Sequence, residues 1–362
     1  MIPFLELTPG EDAADLQAAI ERVVSRGWFV LGPELEAFEQ EFAGASGAAY
    51  AVGVGNGTDA LALALRAAGI GSGDEVVTSP LSAAFSALAI MMTGARPVFA
   101  DIDGERLTLD PAAFERAITP RTRAVMPVHL YGQPADMPAI AAVAEPRGIV
   151  IIEDCCQAHL ATCAGRPVGS FSTAAAFSFY PTKNLGALGD GGAVTTHDAT
   201  IADTLRKLRN GGQSSKYHHD SVGVNSRLDE VQAAVLRERL KWLPKWTATR
   251  RALAAQYRQQ LAEAPVHVPR ECDSGHVYHL FPVLSARRAA LQAHLATRGV
   301  ETLVHYPVPL TKQHAFASER PADCPTADRV CGEVLSLPLH PGMTAAMIDE
   351  VTAALRAFDA AA

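Results

Sequence analysis

Ser178-Phe179-Tyr180-Pro181-Thr182-Lys183-Asn184-Leu185-Gly186 is the stretch on which the reading of this chain turns. It sets one lysine at the end of an apolar, aromatic run and just ahead of a glycine cluster, Gly186 to Gly192. An ammonium group held there is partly desolvated, which lowers its pKa and favours the neutral amine that attacks carbonyls. Alone the stretch is ambiguous, because a lysine after an apolar strand is most often a surface residue. Upstream, however, Glu153-Asp154-Cys155-Cys156-Gln157 follows the apolar run Ile149-Val150-Ile151-Ile152. That run reads as a buried parallel strand, with Asp154 at its carboxyl end, where open α/β sheets place their ligands. A strand-end carboxylate and a desolvated lysine are what pyridoxal phosphate needs. The lysine bonds to the aldehyde, and the aspartate keeps the pyridine nitrogen protonated so that the ring accepts electrons. Without such a partner Asp154 would read as a helix cap or a solvated loop acid.

Outward from this pair, apolar runs and helical periodicity alternate. Strands are predicted over 50–54, 75–78, 97–100, 124–128 and 149–152, with helices over 12–26, 58–68, 83–92, 111–118 and 137–144. Two further apolar runs, 174–179 and 192–196, complete a sheet around Lys183. The fold class is α/β: a large domain, residues 1–240, with a mostly parallel sheet of the seven-stranded type between layers of helices. A long amphipathic helical region follows over 227–263, interrupted at Pro244. A smaller C-terminal α+β domain, residues 241–362, carries strands over 277–284 and 300–305 and helices near 287–297 and 344–358.

The 362 residues hold ample material for a core, and 48% hydrophobic with 19% charged residues fits a globular enzyme. A net charge of −8 argues against nonspecific nucleic-acid binding, which needs a cationic surface to displace counterions. It leaves room for an anionic substrate met by a local basic cluster. Six cysteines without a Cys-x-x-Cys pair give no metal or redox motif, and Cys155 and Cys156 read as small packing residues. Residues 76–95 are uncharged over a length that could cross a bilayer, but five hydroxyl residues and Ser79-Pro80 break them into a strand and a helix. The N-terminal residues lack a basic n-region, so no signal peptide is expected and the cytoplasm is the expected location.

Several motifs, in order, resemble one family: Gly27-Trp28-Phe29-Val30-Leu31-Gly32-Pro33, Gly55-Asn56-Gly57-Thr58-Asp59-Ala60-Leu61, Met126-Pro127-Val128-His129-Leu130-Tyr131-Gly132-Gln133, the Asp154 and Lys183 segments, and Asn225-Ser226-Arg227-Leu228-Asp229-Glu230. Together they resemble the pyridoxal-phosphate sugar aminotransferases of the DegT/StrS type, over nearly the whole chain. The resemblance implies the fold type I architecture of the aspartate aminotransferases. It also implies roles for individual residues. Gly57 and Thr58, at a strand-to-helix turn whose free amides suit a phosphate, would bind the cofactor phosphate together with Ser178. Gln157 would lie near the ring and its phenolic oxygen. His159 is either a structural histidine or a substrate contact, with Leu160 replacing the glycine often found after it. Asn225 would reach the partner subunit's cofactor phosphate. His305 and Tyr306 resemble a segment lining the sugar site, and Phe29 is a further candidate for that pocket. One departure stands out: Ala83 occupies the position where the family usually stacks an aromatic on the ring, with Phe85 two residues later. Either Phe85 reaches the ring by another route or the stacking partner is missing.

What the resemblance implies is a homodimeric aminotransferase acting on a nucleotide-linked keto-sugar, with L-glutamate as amino donor and no metal. The 27–33 segment and the Lys216-Tyr217-His218-His219 loop lean towards amination at C3 of a 6-deoxyhexose. Amination at C4 and cyclitol substrates are alternatives. A sugar dehydratase of the same family would carry histidine where Lys183 stands. A cofactor-binding regulator would leave a complete catalytic set unused.

Overall fold

The computed structural model describes residues 1–316 and 323–358. Its central sheet is built from β1 (Tyr50–Val54), β2 (Glu75–Thr78), β3 (Arg96–Phe99), β4 (Thr122–Met126) and β5 (Val150–Asp154). A small ribbon of β6 (Thr162–Cys163) and β7 (Arg166–Pro167) intervenes before β8 (Ala174–Ser178) and β9 (Gly192–Thr196) close the set. The strand order is β1-β9-β8-β5-β4-β2-β3. Pairings from β8 across to β3 are parallel, while β9 runs antiparallel to both β8 and β1. The connecting helices are α1 (Ala13–Arg26), α2 (Pro33–Ala45), α3 (Gly57–Ala67), α4 (Phe85–Met92), α5 (Pro111–Ala117), α6 (Met137–Ala144) and α7 (Ala199–Leu208).

Strand side chains alternate between faces, and both faces are covered. Val52, Val54, Val76, Ala124, Met126, Ile152, Ala176 and Val194 share one buried cluster with residues of α3 and α7. Their neighbours in sequence point the other way. Ala51, Ala175, Phe177 and Ala193 pack with Leu35, Phe38 and Phe42 of α2, and Val77, Val98, Val125 and Ile151 pack with α5 and α6. This two-sided burial is why the strands read as continuous apolar runs.

A ribbon of β10 (Gln213–Ser215) and β11 (His218–His219) precedes the 31-residue α8 (Glu230–Gln260). The C-terminal part then pairs β12 (Phe281–Leu284) antiparallel with β13 (Val334–Leu337), covered by α9 (Arg288–Thr297), α10 (Pro325–Glu333) and α11 (Ala345–Arg356). Its core joins Leu253, Ala254 and Tyr257 of α8 to Leu291, Leu335, Ile348 and Leu355, and Ile2 inserts from the other end of the chain.

Some expectations are corrected. Pro244 does not interrupt the helix: α8 runs through it. A proline forfeits one main-chain bond, and the flanking side chains hold the register. Leu243 is fully buried, and the indoles of Trp242 and Trp246 donate to Asp15 and Glu11. The strand expected over 277–284 is limited to β12, because Val277 and Leu280 donate instead to Gly132 O and Tyr131 O near the large sheet. The run 300–305 makes only single bridges, Val300 to Ile2 and Leu303 to Ser336. The helices α2, α7 and α10 were not read from sequence.

Candidate active site

Asp154 is the last residue of β5 and is 4% exposed. Its backbone is clamped by its own N–H to Pro127 O and by His129 N to its carbonyl. The carboxylate is held by two donors: Ser86 Oγ at 2.7 Å from Oδ2 and Cys156 N at 3.1 Å from Oδ1. Ser86 lies in the first turn of α4, and Ser82, in the segment ahead of the helix, places its Oγ 3.1 Å from the Ser86 hydroxyl. A carboxylate with two lone pairs still free can accept a further proton-bearing nitrogen.

Lys183 sits in the turn that leaves β8. Its N–H donates to Tyr180 O, and the turn closes on Gly186, where an added Cβ would stand 2.5 Å from Pro181 O. The next residue fixes the loop: Asn184 Nδ2 donates to Val277 O at 3.1 Å, and its Oδ1 lies 3.2 Å from His279 Nδ1. Burial lowers the Lys183 pKa, partly opposed by Cys156 and Asp154. The lysine lines two cavities. One of about 640 Å³ is also bounded by Phe4, His279, His305 and Tyr306, and the other, of about 700 Å³, by Asn184, Trp246, Arg250 and His340.

Beside them the N-terminus of α3 meets the end of β8. Asn56 caps the helix by accepting from Asp59 N. Gly57 lies so close to Ser178 that an added Cβ would be 2.6 Å from the serine Cβ and 3.1 Å from Cys156 Sγ. Thr58 follows in the first turn. Ser178 Oγ accepts from Tyr180 N at 3.3 Å, which leaves its proton free to donate. Gly57, Thr58 and Ser178 thus present helix amides and hydroxyls at one spot, the chemistry of a phosphate site.

Gln157 is 5% exposed; its Oε1 accepts from Tyr131 N at 2.7 Å and its Nε2 donates to Tyr306 Oη at 3.2 Å. Tyr131 in turn donates to His305 O, and His305 Nδ1 is 3.0 Å from Ser336 Oγ. His159 is fully buried between the rings of Phe177 and Phe179, neither ring nitrogen has a partner, and burial followed by the charge of Lys183 lowers its pKa to about 3. Phe29 and Asn225 are exposed and line neither cavity. Phe85 is 61% exposed at the start of α4. Ser86 faces Asp154, and adjacent helical residues diverge by about 100°, so Phe85 is turned away from the carboxylate. Ser82, Ser86 and Tyr131 were missed as site residues. The four-residue spacing of the two serines was the available signal, although Ser82 lies ahead of α4.

These residues fit pyridoxal phosphate. A free amine, a strand-end carboxylate with acceptor capacity and a glycine-lined helix N-terminus stand together, and the close approach of Gly57 to Ser178 admits no side chain. A second cluster, His129, Glu153 and Cys155, is structural. His129 Nδ1 accepts from Ala135 N, so Nε2 carries the proton it shares with Glu153 at 2.9 Å, and Glu153 also accepts from Gly169 N and Phe171 N. Among the described residues no helix is long and apolar enough to cross a membrane.

The model of the DegT/DnrJ/EryC1/StrS aminotransferase family matches residues 11–356. The chain is 50% identical to dTDP-3-amino-3,4,6-trideoxy-alpha-D-glucose transaminase of Streptomyces venezuelae, over 99% of this chain and 95% of that one. It is 47% identical to the erythromycin biosynthesis sensory transduction protein EryC1 of Saccharopolyspora erythraea, over 98% and 99%. The crystal structure of S. venezuelae DesV in complex with a ketimine intermediate superposes with a TM-score of 0.96 at 49% identity, covering 98% of this chain and 97% of that one.

Proposed function

This chain belongs to the DegT/DnrJ/EryC1/StrS aminotransferase family, and from that premise we propose that it is a pyridoxal-phosphate-dependent transaminase of nucleotide-linked keto-sugars. It aminates C3 of a deoxyhexose with L-glutamate as donor, acting in the cytoplasm as a homodimer. The observation that carries the reading is the half-buried, unpaired Lys183 amine facing two cavities, with Asp154 and the Gly57–Ser178 cradle beside it. The preference for C3 rests on the likeness to the S. venezuelae transaminase.

When bound, pyridoxal phosphate supplies the electron sink that stabilises charge at the carbon gaining or losing a proton. Gly57, Thr58 and Ser178 would hold its phosphate, and Gln157 would lie against the ring. Asp154 would keep a proton at the pyridine nitrogen. Lys183, as a desolvated amine, accepts and returns the proton at the reacting carbon as general base and acid. His305 and Tyr306, on the wall of the first cavity, are the proposed sugar contacts. His159, buried beside the lysine, is the weakest substrate candidate, since its ring is packed on two phenylalanines.

Incubating the holoenzyme with L-glutamate and synthetic dTDP-linked 3-keto- and 4-keto-6-deoxyhexoses, and following the products by NMR, tests the reading. The 3-amino sugar is expected. Exclusive 4-amination would overturn the position, and no amino sugar from any keto-sugar nucleotide would overturn the function.

A further inference from the structure

The buried cation left without a role is Arg250. It projects from α8, is 4% exposed, and its Nη1 donates to three main-chain oxygens: Leu339 O at 2.7 Å, Tyr278 O at 3.2 Å and His279 O at 3.4 Å. No carboxylate among the described residues pairs with it, and burial alone acts on the group, pulling its pKa down to about 10. Other cations of the same helix are matched: Arg237 with Glu34 and Glu41, Arg239 with Asp12, Lys245 with Glu11. A buried guanidinium without a counter-charge is costly, and the cost is recovered when an anion arrives.

A second, independent observation points the same way. His340 is 3% exposed, and its Nε2 has no hydrogen-bond partner. Both residues line the cavity of about 700 Å³ that also reaches Lys183. Of the acids on that wall, Glu11 is engaged by Lys245 and Trp246, and Asp12 by Arg239 and Gly10 N. Glu6, exposed, lies beside His340.

Resting on the transaminase reading, we propose that Arg250 and His340 form the carboxylate-binding site for the amino-acid donor. The guanidinium keeps Nη2 and Nε beyond its three main-chain bonds, and a planar carboxylate matches that fork. A single cation beside an imidazole suits one carboxylate; a nucleotide diphosphate carries more charge than the pair can balance. His305 and Tyr306 line the other cavity. The two substrates therefore react at the same lysine while carrying their anionic ends to different walls.

The test is calorimetric titration of the holoenzyme with 2-oxoglutarate and, separately, with dTDP, for wild type, Arg250→Lys and His340→Asn. Expected is a loss of 2-oxoglutarate affinity of about tenfold to a hundredfold in Arg250→Lys and a smaller loss in His340→Asn, with dTDP affinity unchanged. His340→Asn leaves the three main-chain bonds of Arg250 intact, so it carries the test alone if Arg250→Lys does not fold. The proposal is overturned if the variants bind 2-oxoglutarate like wild type, if dTDP affinity falls instead or as well, or if wild type binds no 2-oxoglutarate. Failure of the transaminase reading shows differently, as wild-type protein that forms no amino sugar from any keto-sugar nucleotide.

Discussion

The Ser86 hydroxyl donates to Oδ2 of Asp154 across 2.7 Å, inside a site where both residues are at most 4% exposed. A hydrogen bond to a buried charge is worth about 1.5–3 kcal/mol, so the bond fixes the rotamer of the carboxylate. Ser86→Ala should slow turnover about tenfold and loosen the cofactor, and Ser86→Thr, which restores a hydroxyl, should recover most of both. Cofactor dissociation measured by fluorescence alongside turnover separates this from a packing defect. Equal losses in Ser86→Ala and Ser86→Thr would show the hydroxyl to be irrelevant.

Lys183 should be the point of covalent attachment. Borohydride treatment of the holoenzyme followed by peptide mapping should find the cofactor fixed to the peptide containing Lys183, and Lys183→Ala should bind cofactor without turning over. The sign of the pH effect follows from burial, which lowers the lysine pKa. As pH falls, the amine of the apoprotein stays neutral through the range where an ordinary lysine, near 10.4, has already gained its proton. The rate of cofactor uptake should therefore have its midpoint below that value. A midpoint at the ordinary lysine pKa would contradict the desolvated amine.

How far the sequence led depends on the kind of signal. The strands around Asp154 and Lys183 were legible because both faces of the sheet are buried, which makes each strand an apolar run bounded by turn residues. Asp154 and Ser178 stand at the ends of such runs, so their places in the fold followed. Arg250 and His340 were not legible. An arginine inside a long amphipathic helix reads as a solvated face, and only the packing of β12 and β13 against α8 shows that it is enclosed. Phe85 illustrates the opposite limit. Its spacing from Ala83 raised the question of an alternative stacking route, but the direction of its side chain depends on where α4 begins. The helix starts at Phe85 itself.

Gly57 is a position where a methyl group should be enough to disturb the site. An added Cβ would stand 2.6 Å from the Ser178 Cβ, and neither a helix N-terminus nor a strand end yields readily. Gly57→Ala should cost about 1–3 kcal/mol of stability by overpacking and weaken cofactor binding at least tenfold. Thermal melts of apo and holo forms check both: the gain in Tm on adding cofactor should shrink. An unchanged gain would mean that the phosphate does not rest on this turn.

Glu34 should set part of the acid limit of the fold. It is 2% exposed, and burial, which raises its pKa, is outweighed by Arg22, Arg237 and Arg26, leaving it at about 2. A depressed carboxylate contributes stability that is fully present above the unfolded value, near 4.3, and is lost as pH falls through about 2. Glu34→Gln should lower stability at pH 7 by about 1–3 kcal/mol and show a smaller difference from wild type as pH drops from 4.5 towards 2. Denaturant midpoints at several pH values measure it. A constant difference across that range would mean the carboxylate is not the titrating group.

The shared active site can be tested by mixing two defective proteins. Asn225 is exposed on the chain, at the end of the segment that includes the β10–β11 ribbon, and it lines neither cavity beside Lys183. In the proposed homodimer this side chain would meet the second subunit, where its amide would donate to the phosphate that Gly57, Thr58 and Ser178 are proposed to hold, without adding charge. Lys183→Ala removes the reacting amine, and Asn225→Ala removes the proposed donor from across the interface. In a hybrid dimer whose Asn225 acts in trans, one site carries both defects and the other carries neither. Activity should then recover towards half of wild type per hybrid, above either parent. If each subunit completes its site with its own Asn225, every site in the hybrid keeps one defect and the mixture stays at the level of its parents. With subunit exchange verified by mass spectrometry, and both parents inactive alone, absence of recovery would exclude the trans arrangement.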